Sequence, residues 1–250
     1  MKTRKRFATH KRIAIWSYNP AERRLFLARQ FIRRVLRLAL GTVLFSLGIS
    51  LTIQANVGLP PWESFHSGLS IVTGLSFGTV SIIAGLVIIT IDLLLKERLG
   101  IGTFINIIPV GIFLDLIQTM QIIPLCQDFA LGIVMLISGL FIFGVGTFFY
   151  VSSGFGAGPR DSMMVAIARR LPRIPIGVIR SVVEGTVLAL GWLMGAKIGL
   201  GTVIYVVGVG SAIQFVFKLF KFDPKTVKHE TPLATCRIIR DILKKTNTTA

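Results

Sequence analysis

Apolar residues in this chain gather into six unbroken runs, with the polar residues confined to the breaks between them. The runs are Leu38 to Asn56, Gly78 to Leu95, Gly102 to Ile123, Phe129 to Val151, Ile176 to Met194 and Gly201 to Phe220. Each is about as long as the roughly 20-residue helix that crosses a hydrocarbon core about 30 Å thick. Backbone in lipid must satisfy its own hydrogen bonds, and runs this long and unbroken do so as helices rather than as barrel strands. The pattern predicts an all-α, polytopic transmembrane bundle of about six spans.

The flanks read differently. Ala21 to Arg37 sets Leu25, Phe26, Ile32 and Leu36 among arginines, which predicts an amphipathic helix lying along the inner membrane surface before the chain turns into the bilayer. Pro232 to Lys245, with Leu233, Ile238, Ile239 and Ile242 beside Arg237, Arg240, Lys244 and Lys245, reads similarly. The basic stretch before the first span is too long for a signal peptide and no cleavage-like site follows it, so it is expected to be retained. This divides the chain into a basic arm (1–37), a membrane domain (38–220) and a basic tail (221–250).

The membrane domain repeats internally. An offset of 98 residues places Gly48 on Gly146, Gly58 on Gly156, and Pro61-Trp62-Glu63-Ser64 on Pro159-Arg160-Asp161-Ser162. After one inserted residue, an offset of 99 places Gly100-Ile101-Gly102-Thr103 on Gly199-Leu200-Gly201-Thr202, Gly111 on Gly210 and Asp115 on Gln214. Repeat one is 38–123 and repeat two 129–220, each a span, a glycine turn, a short Pro-started helix, a second span, a G-x-G-T turn and a third span. Three spans per unit force the second copy to enter from the opposite face. The repeats are therefore expected to be inverted, with the Pro61 helix outside and the Pro159 helix inside.

Charge supports that topology. A formal net charge of +17 would in a soluble protein suggest nucleic acid, but 27 of the 28 Lys and Arg fall on segments that the six-span reading puts on one face, and Lys197 alone falls on the other. Basic loops stay cytoplasmic, so both termini are expected inside, and the charge reports topology and contact with anionic inner-leaflet headgroups rather than a nucleic-acid partner. Hydrophobic residues at 52% against 16% charged exclude an ordinary soluble domain. Cys126 and Cys236 fall on opposite faces and make neither a disulfide framework nor a metal site.

The candidate site residues are the polar groups at membrane depth. Arg180 and Glu184, four apart on the fifth span, are placed to meet side by side, either as a solute or ion contact or as a structural pair. Asp115 faces Gln214 across the repeat, and Asn106 corresponds to Tyr205; such matched groups suit a central site or bridging hydrogen bonds between helices. Pro61 and Pro159 suit the first helical position, with Glu63 and Asp161 two residues later, where an acid complements free N–H groups. Capping explains them. In the sharper reading the helices are re-entrant and Trp62, Glu63, Arg160 and Asp161 line a gate; the stripe of Trp62, Phe65, Leu69 and Val72 fits an interfacial helix equally well. Asp92, close to Lys96, reads as interfacial. Pro109-Val110-Gly111 and Gly208-Val209-Gly210 are places of close packing or bending.

Gly58-Leu59-Pro60-Pro61-Trp62-Glu63, Leu75-Ser76-Phe77-Gly78-Thr79-Val80, Leu99-Gly100-Ile101-Gly102-Thr103 and Gly156-Ala157-Gly158-Pro159-Arg160-Asp161 together resemble the YczE/YitT group of bacterial membrane proteins. The resemblance covers about residues 38 to 220. It implies a multi-pass protein of the bacterial plasma membrane and brings no activity or site residue with it. Members similar to YitT proper carry a soluble C-terminal domain, and the short tail here is closer to the YczE branch.

No paired His, H-E-x-x-H or phosphate-binding loop is present, and His10, His66 and His229 are scattered, so no enzyme, metal or cofactor is expected. Inverted repeats with broken helices recur in secondary transporters. The expectation is a transporter or permease for a small solute or ion; the alternative is a regulatory or assembly protein acting through its basic cytoplasmic surface.

Overall fold

The computed structural model describes residues 20–97, 99–156, 158–174, 176–224, 227 and 232–243. Among them the chain is helical throughout: α1 (Pro20–Gln54), α2 (Pro61–Thr73), α3 (Phe77–Leu94), α4 (Ile101–Thr119), α5 (Phe129–Ser152), α6 (Pro159–Arg170), α7 (Ile176–Leu193), α8 (Leu200–Leu219) and α9 (Pro232–Leu243). Local chemistry sets several of these ends. Pro61 and Pro159 occupy first-turn positions where the missing N–H costs nothing. The hydroxyl of Ser76 accepts from Thr79 N at 3.2 Å, and Asp128 accepts from Leu131 N at 2.8 Å. Gly74, with φ of 72°, closes α2 in the left-handed region.

Among the described residues five helices are long and apolar enough to cross a membrane: α1, α3, α4, α5 and α8. The sixth expected span is also helical, as the 18-residue α7, and carries the Arg180–Glu184 pair. Apolar side chains such as Leu86, Val87, Ile112, Val134 and Val207 face outward on these helices, as lipid-facing residues do.

The arm differs from expectation. Residues 21 to 37 do not turn; they continue directly into the first span as one 35-residue helix, about 50 Å long at a rise of about 1.5 Å per residue. Nothing between Glu22 and Leu40 breaks the helix, and Leu and Arg favour it. Its lower part is docked: Arg34 Nε donates to the Ser153 carbonyl at 2.7 Å, and its guanidinium lies 4.6 Å from the Phe155 ring centroid. The first 19 residues lie outside the described part. The expected tail helix is α9, which packs against α1.

The centre of the bundle is an antiparallel crossing of α1 and α5. A Cβ on Gly41 would stand 2.6 Å from Tyr150 N, and one on Gly48 would stand 2.6 Å from Phe143 N. Only glycine lets the backbones approach this closely. Between the two contacts Phe45 and Phe143 pack ring to ring, with centroids 4.4 Å apart. Two further contacts tie each glycine turn to a G-x-G-T turn. Val57 O accepts from Gly201 N at 2.8 Å, and Phe155 O accepts from Gly102 N at 3.0 Å. The sequence repeat relates these contacts: Val57 and Phe155 are 98 apart and Gly102 and Gly201 are 99 apart. In the crossing, the approach of Gly48 to Phe143 N is matched by that of Gly146 to Phe45 N, 2.5 Å from a Cβ, with each residue 98 from its counterpart.

Candidate functional site

The first turns of α2 and α6 meet inside the bundle and border a cavity of about 170 Å³, which α1, α3, α4, α5, α7 and α8 complete. Arg160 connects the two short helices. Its Nη1 donates to Glu63 Oε1 at 3.3 Å, and its guanidinium lies 4.7 Å from the Trp62 ring centroid. Glu63 is 3% exposed. A carboxylate so buried needs a counter-charge, and Arg160 supplies it while sharing its other face with the indole. Across the cavity Arg180 Nε donates to Glu184 Oε1 at 2.8 Å, as the four-residue spacing predicts. Asn106 accepts from the Thr42 hydroxyl, and Tyr205 borders the same space.

Of the ten residues singled out from sequence, the structure brings seven to this cavity: Arg180, Glu184, Asn106, Tyr205, Trp62, Glu63 and Arg160. Asp115 and Gln214 are elsewhere. Asp115 Oδ1 accepts from Gly78 N at 2.6 Å and its Oδ2 from the Ser76 hydroxyl at 2.5 Å, so it fastens the start of α3 to α4. Gln214 is exposed on α8, and the two do not meet. Asp161 lies in the first turn of α6, but its side chain is outside the described part. Glu63 stands in the first turn of α2, where an acid complements the helix dipole, and from there it also makes the ion pair with Arg160; Pro60, the cap residue, makes no side-chain cap bond.

The lining also obeys the repeat. Phe45 and Phe143, Trp62 and Arg160, Ser81 and Arg180, Gly85 and Glu184, Asn106 and Tyr205, and Val110 and Val209 all border the cavity and are 98 or 99 positions apart. The two halves supply different chemistry at matched places. Where the first offers Ser81 and Gly85, the second offers Arg180 and Glu184. Thr147 and Tyr150 also line the space and were not singled out from the sequence; they fall three apart on one face of α5, with Phe143 a turn before.

The apolar stripe of α2 is used rather than left interfacial. Trp62, Phe65 and Leu69 line a second, apolar groove of about 470 Å³ with residues of α3 and α7, and Trp62 belongs to the walls of both spaces. Val72, expected on the same stripe, is 66% exposed. The paired glycines diverge as well. A Cβ on Gly111 would stand 2.7 Å from Gly78 O, so that glycine serves close packing, whereas Gly210 has open space around it. Asp92, read as interfacial, is wholly buried. Cys126 and Cys236 are both free thiols. Among the described residues no group of three His, Cys, Asp or Glu is placed to hold a metal.

No solved structure matches this chain. It is 36% identical to an uncharacterized protein of Haemophilus influenzae over 70% of this chain and 79% of the relative. It is 33% identical to the "Uncharacterized membrane protein YczE" of Bacillus subtilis over 70% of this chain and 81% of the relative, and 29% identical to the same organism's "Uncharacterized protein YyaS" over 71% and 89%. The family described as "Family of unknown function (DUF6198)" matches residues 32–218, which takes in the glycine crossing, both short helices and the whole cavity. The chain is thus a membrane protein that belongs to the DUF6198 family, with YczE among its relatives.

Proposed function

We propose that this protein is a transporter for a small polar solute, built as two inverted three-span repeats with both termini cytoplasmic, and that the cavity between α2 and α6 is its solute site. The observation that carries the reading is the cavity itself: a partly enclosed space with largely apolar walls and a polar cluster where two short helices meet, bordered by repeat-related residues and by two acid–base pairs. Helix N-termini present free N–H groups and a positive dipole end, which suits an anionic or strongly polar group on a solute. A cavity of about 150 Å³ accepts a molecule the size of benzene, so the solute has about six to ten non-hydrogen atoms.

What supports the inverted arrangement is that the glycine crossing, the two turn-to-turn hydrogen bonds and the cavity lining each fall on residues related by the sequence repeat. Two halves that enter the membrane from opposite faces make two access states nearly equivalent. In this reading α7 is the sixth span. Arg180, with its side chain 45% exposed, stands at the mouth, and Glu63, with its side chain 4% exposed, stands at the depth of the site.

The test is swelling and uptake in proteoliposomes with glycerol, glycine betaine and 4-aminobutyrate as probes. Saturable flux of one of them, abolished by filling the cavity with Val209→Trp in a protein that still purifies as a folded species, is the expected result. Flux indistinguishable from empty liposomes for every probe would overturn the reading and favour a regulatory protein acting through its basic face.

A further inference from the structure

Asp92 does not line the cavity, and with His66 it is one of the ionisable side chains that the bundle buries without a hydrogen-bond partner among the described residues. It lies on α3, is 0% exposed, and neither carboxylate oxygen has a hydrogen-bond partner among the described residues. It shares a helical face with Ser81 and Gly85, which border the cavity, and with Ile88. Asp92 follows Gly85 by seven residues, about 10 Å along the helix axis. Ile88 packs with Trp62 and Met163 between them, so an apolar layer separates the carboxyl from the cavity.

The repeat offers a reference for this position. The residue 99 places later is Gly191 on α7, where a Cβ would stand 2.5 Å from Ser64 C, so that α2 and α7 meet backbone to backbone. The matching junction of α6 with α3 holds Asp92 instead.

The charged groups around Asp92 are already engaged or turned to solvent. Just beyond α3, Glu97 pairs with Arg169 of α6 at 2.8 Å, and Lys96 is exposed. On α6, Arg160 is held by Glu63 and Arg170 is exposed. α2 brings Glu63 and His66, and α4 carries no ionisable side chain between Gly102 and Leu114. Arg98 lies outside the described residues. An ionised carboxylate with neither a counter-charge nor a donor is costly in such a place, whereas the neutral acid is tolerated.

We propose that Asp92 is a proton-binding site in the seam between α3 and α6: the neutral acid lets the seam stay closed, and loss of the proton to water accompanies its opening. The step breaks one O–H bond and moves no electrons to or from another group. The site stands independently of the solute cavity, and its occupant is a proton rather than a metal, because among the described residues no cluster of three metal-ligating side chains is present.

The experiment is labelling of the full-length protein in lipid nanodiscs with dicyclohexylcarbodiimide, a hydrophobic reagent that adds to a carboxylic acid and remains attached as an N-acylurea, followed by peptide mass spectrometry. The expected adduct is on Asp92, falls steeply as the pH is raised, and is missing from Asp92→Asn, which melts within a few degrees of the parent. No adduct on Asp92 at any pH, or an Asp92→Asn protein that folds but melts far lower, would overturn the proposal by showing a carboxylate committed to a charged partner. Should Asp92→Asn fail to fold, the pH dependence of the adduct in the parent protein decides alone. Labelling without solute flux would leave the site standing and remove the transport reading; flux without labelling would do the reverse.

Discussion

Two seams in this bundle occupy matching places in the two halves and are built from opposite materials. Between α2 and α7 the chain uses glycine: Gly68 lies against Gly191 O and Met194, and Gly191 against the backbone of Ser64 and Phe65. Between α6 and α3 the corresponding positions are Ala166 and Asp92, both buried. The first seam is held by backbone proximity, which leaves no room for adjustment. The second is closed over a group whose charge state can change. Equal helices can thus be given unequal tendencies to part by one substitution in each seam.

The largest effect is expected where both seams begin. Arg160→Leu strands Glu63 as an unpaired buried carboxylate and should destabilise by about 3 kcal/mol or more, since removing one partner of a buried pair is worse than removing both. The double variant Glu63→Gln with Arg160→Leu should recover most of that loss in thermal melts in detergent; a double variant as unstable as the single one would contradict the pairing. Next, Gly191→Ala should lower stability by about 2 kcal/mol, because the added methyl meets backbone that has nowhere to move. Gly210→Ala, in open space, should change it by less than about 0.5 kcal/mol. Equal effects for the two would remove the distinction between a packed and an open glycine.

Smaller is the effect of Arg180→Gln on stability, about 1 kcal/mol, since its side chain is 45% exposed and the amide can still donate to Glu184. Its effect on flux should be at least about tenfold if the cavity is the solute path. A variant that transports normally would reduce the Arg180–Glu184 pair to a structural role. Asp92→Asn closes the series: the amide replaces the neutral acid at almost no change in stability, within about 1 kcal/mol.

Much of this was legible in the sequence because long apolar runs allow only helices, and because proline and glycine mark turns irrespective of what surrounds them. The starts of α2 and α6 were readable from Pro61 and Pro159, and the Arg180–Glu184 contact from its spacing. Hydrogen-bond partners across the bundle were not. Asp115 was paired with Gln214 by repeat position, but a carboxylate near the free N–H groups at the start of α3 finds Gly78 and Ser76 first. Glu63 was readable as a helix-start acid or as a gate residue beside Arg160, but their ion pair joins residues 97 apart, and no local pattern announces a contact of that range. Asp92 looked interfacial because Lys96 follows it by four residues; its burial depends on α6 lying over that face of α3, which only the packed structure establishes.

The measurement that bears most directly on the whole account is the sidedness of two repeat-related sites. Thr73 ends α2 and Leu171 follows α6, and both are exposed. Thr73→Cys and Leu171→Cys, each in a background lacking Cys126 and Cys236, are exposed to a membrane-impermeant thiol reagent in intact cells and then in opened cells. Inverted halves predict that Thr73→Cys reacts from outside and Leu171→Cys only after opening. Reaction of both from the same side would contradict the inverted arrangement and remove the geometric basis for two access states around the cavity.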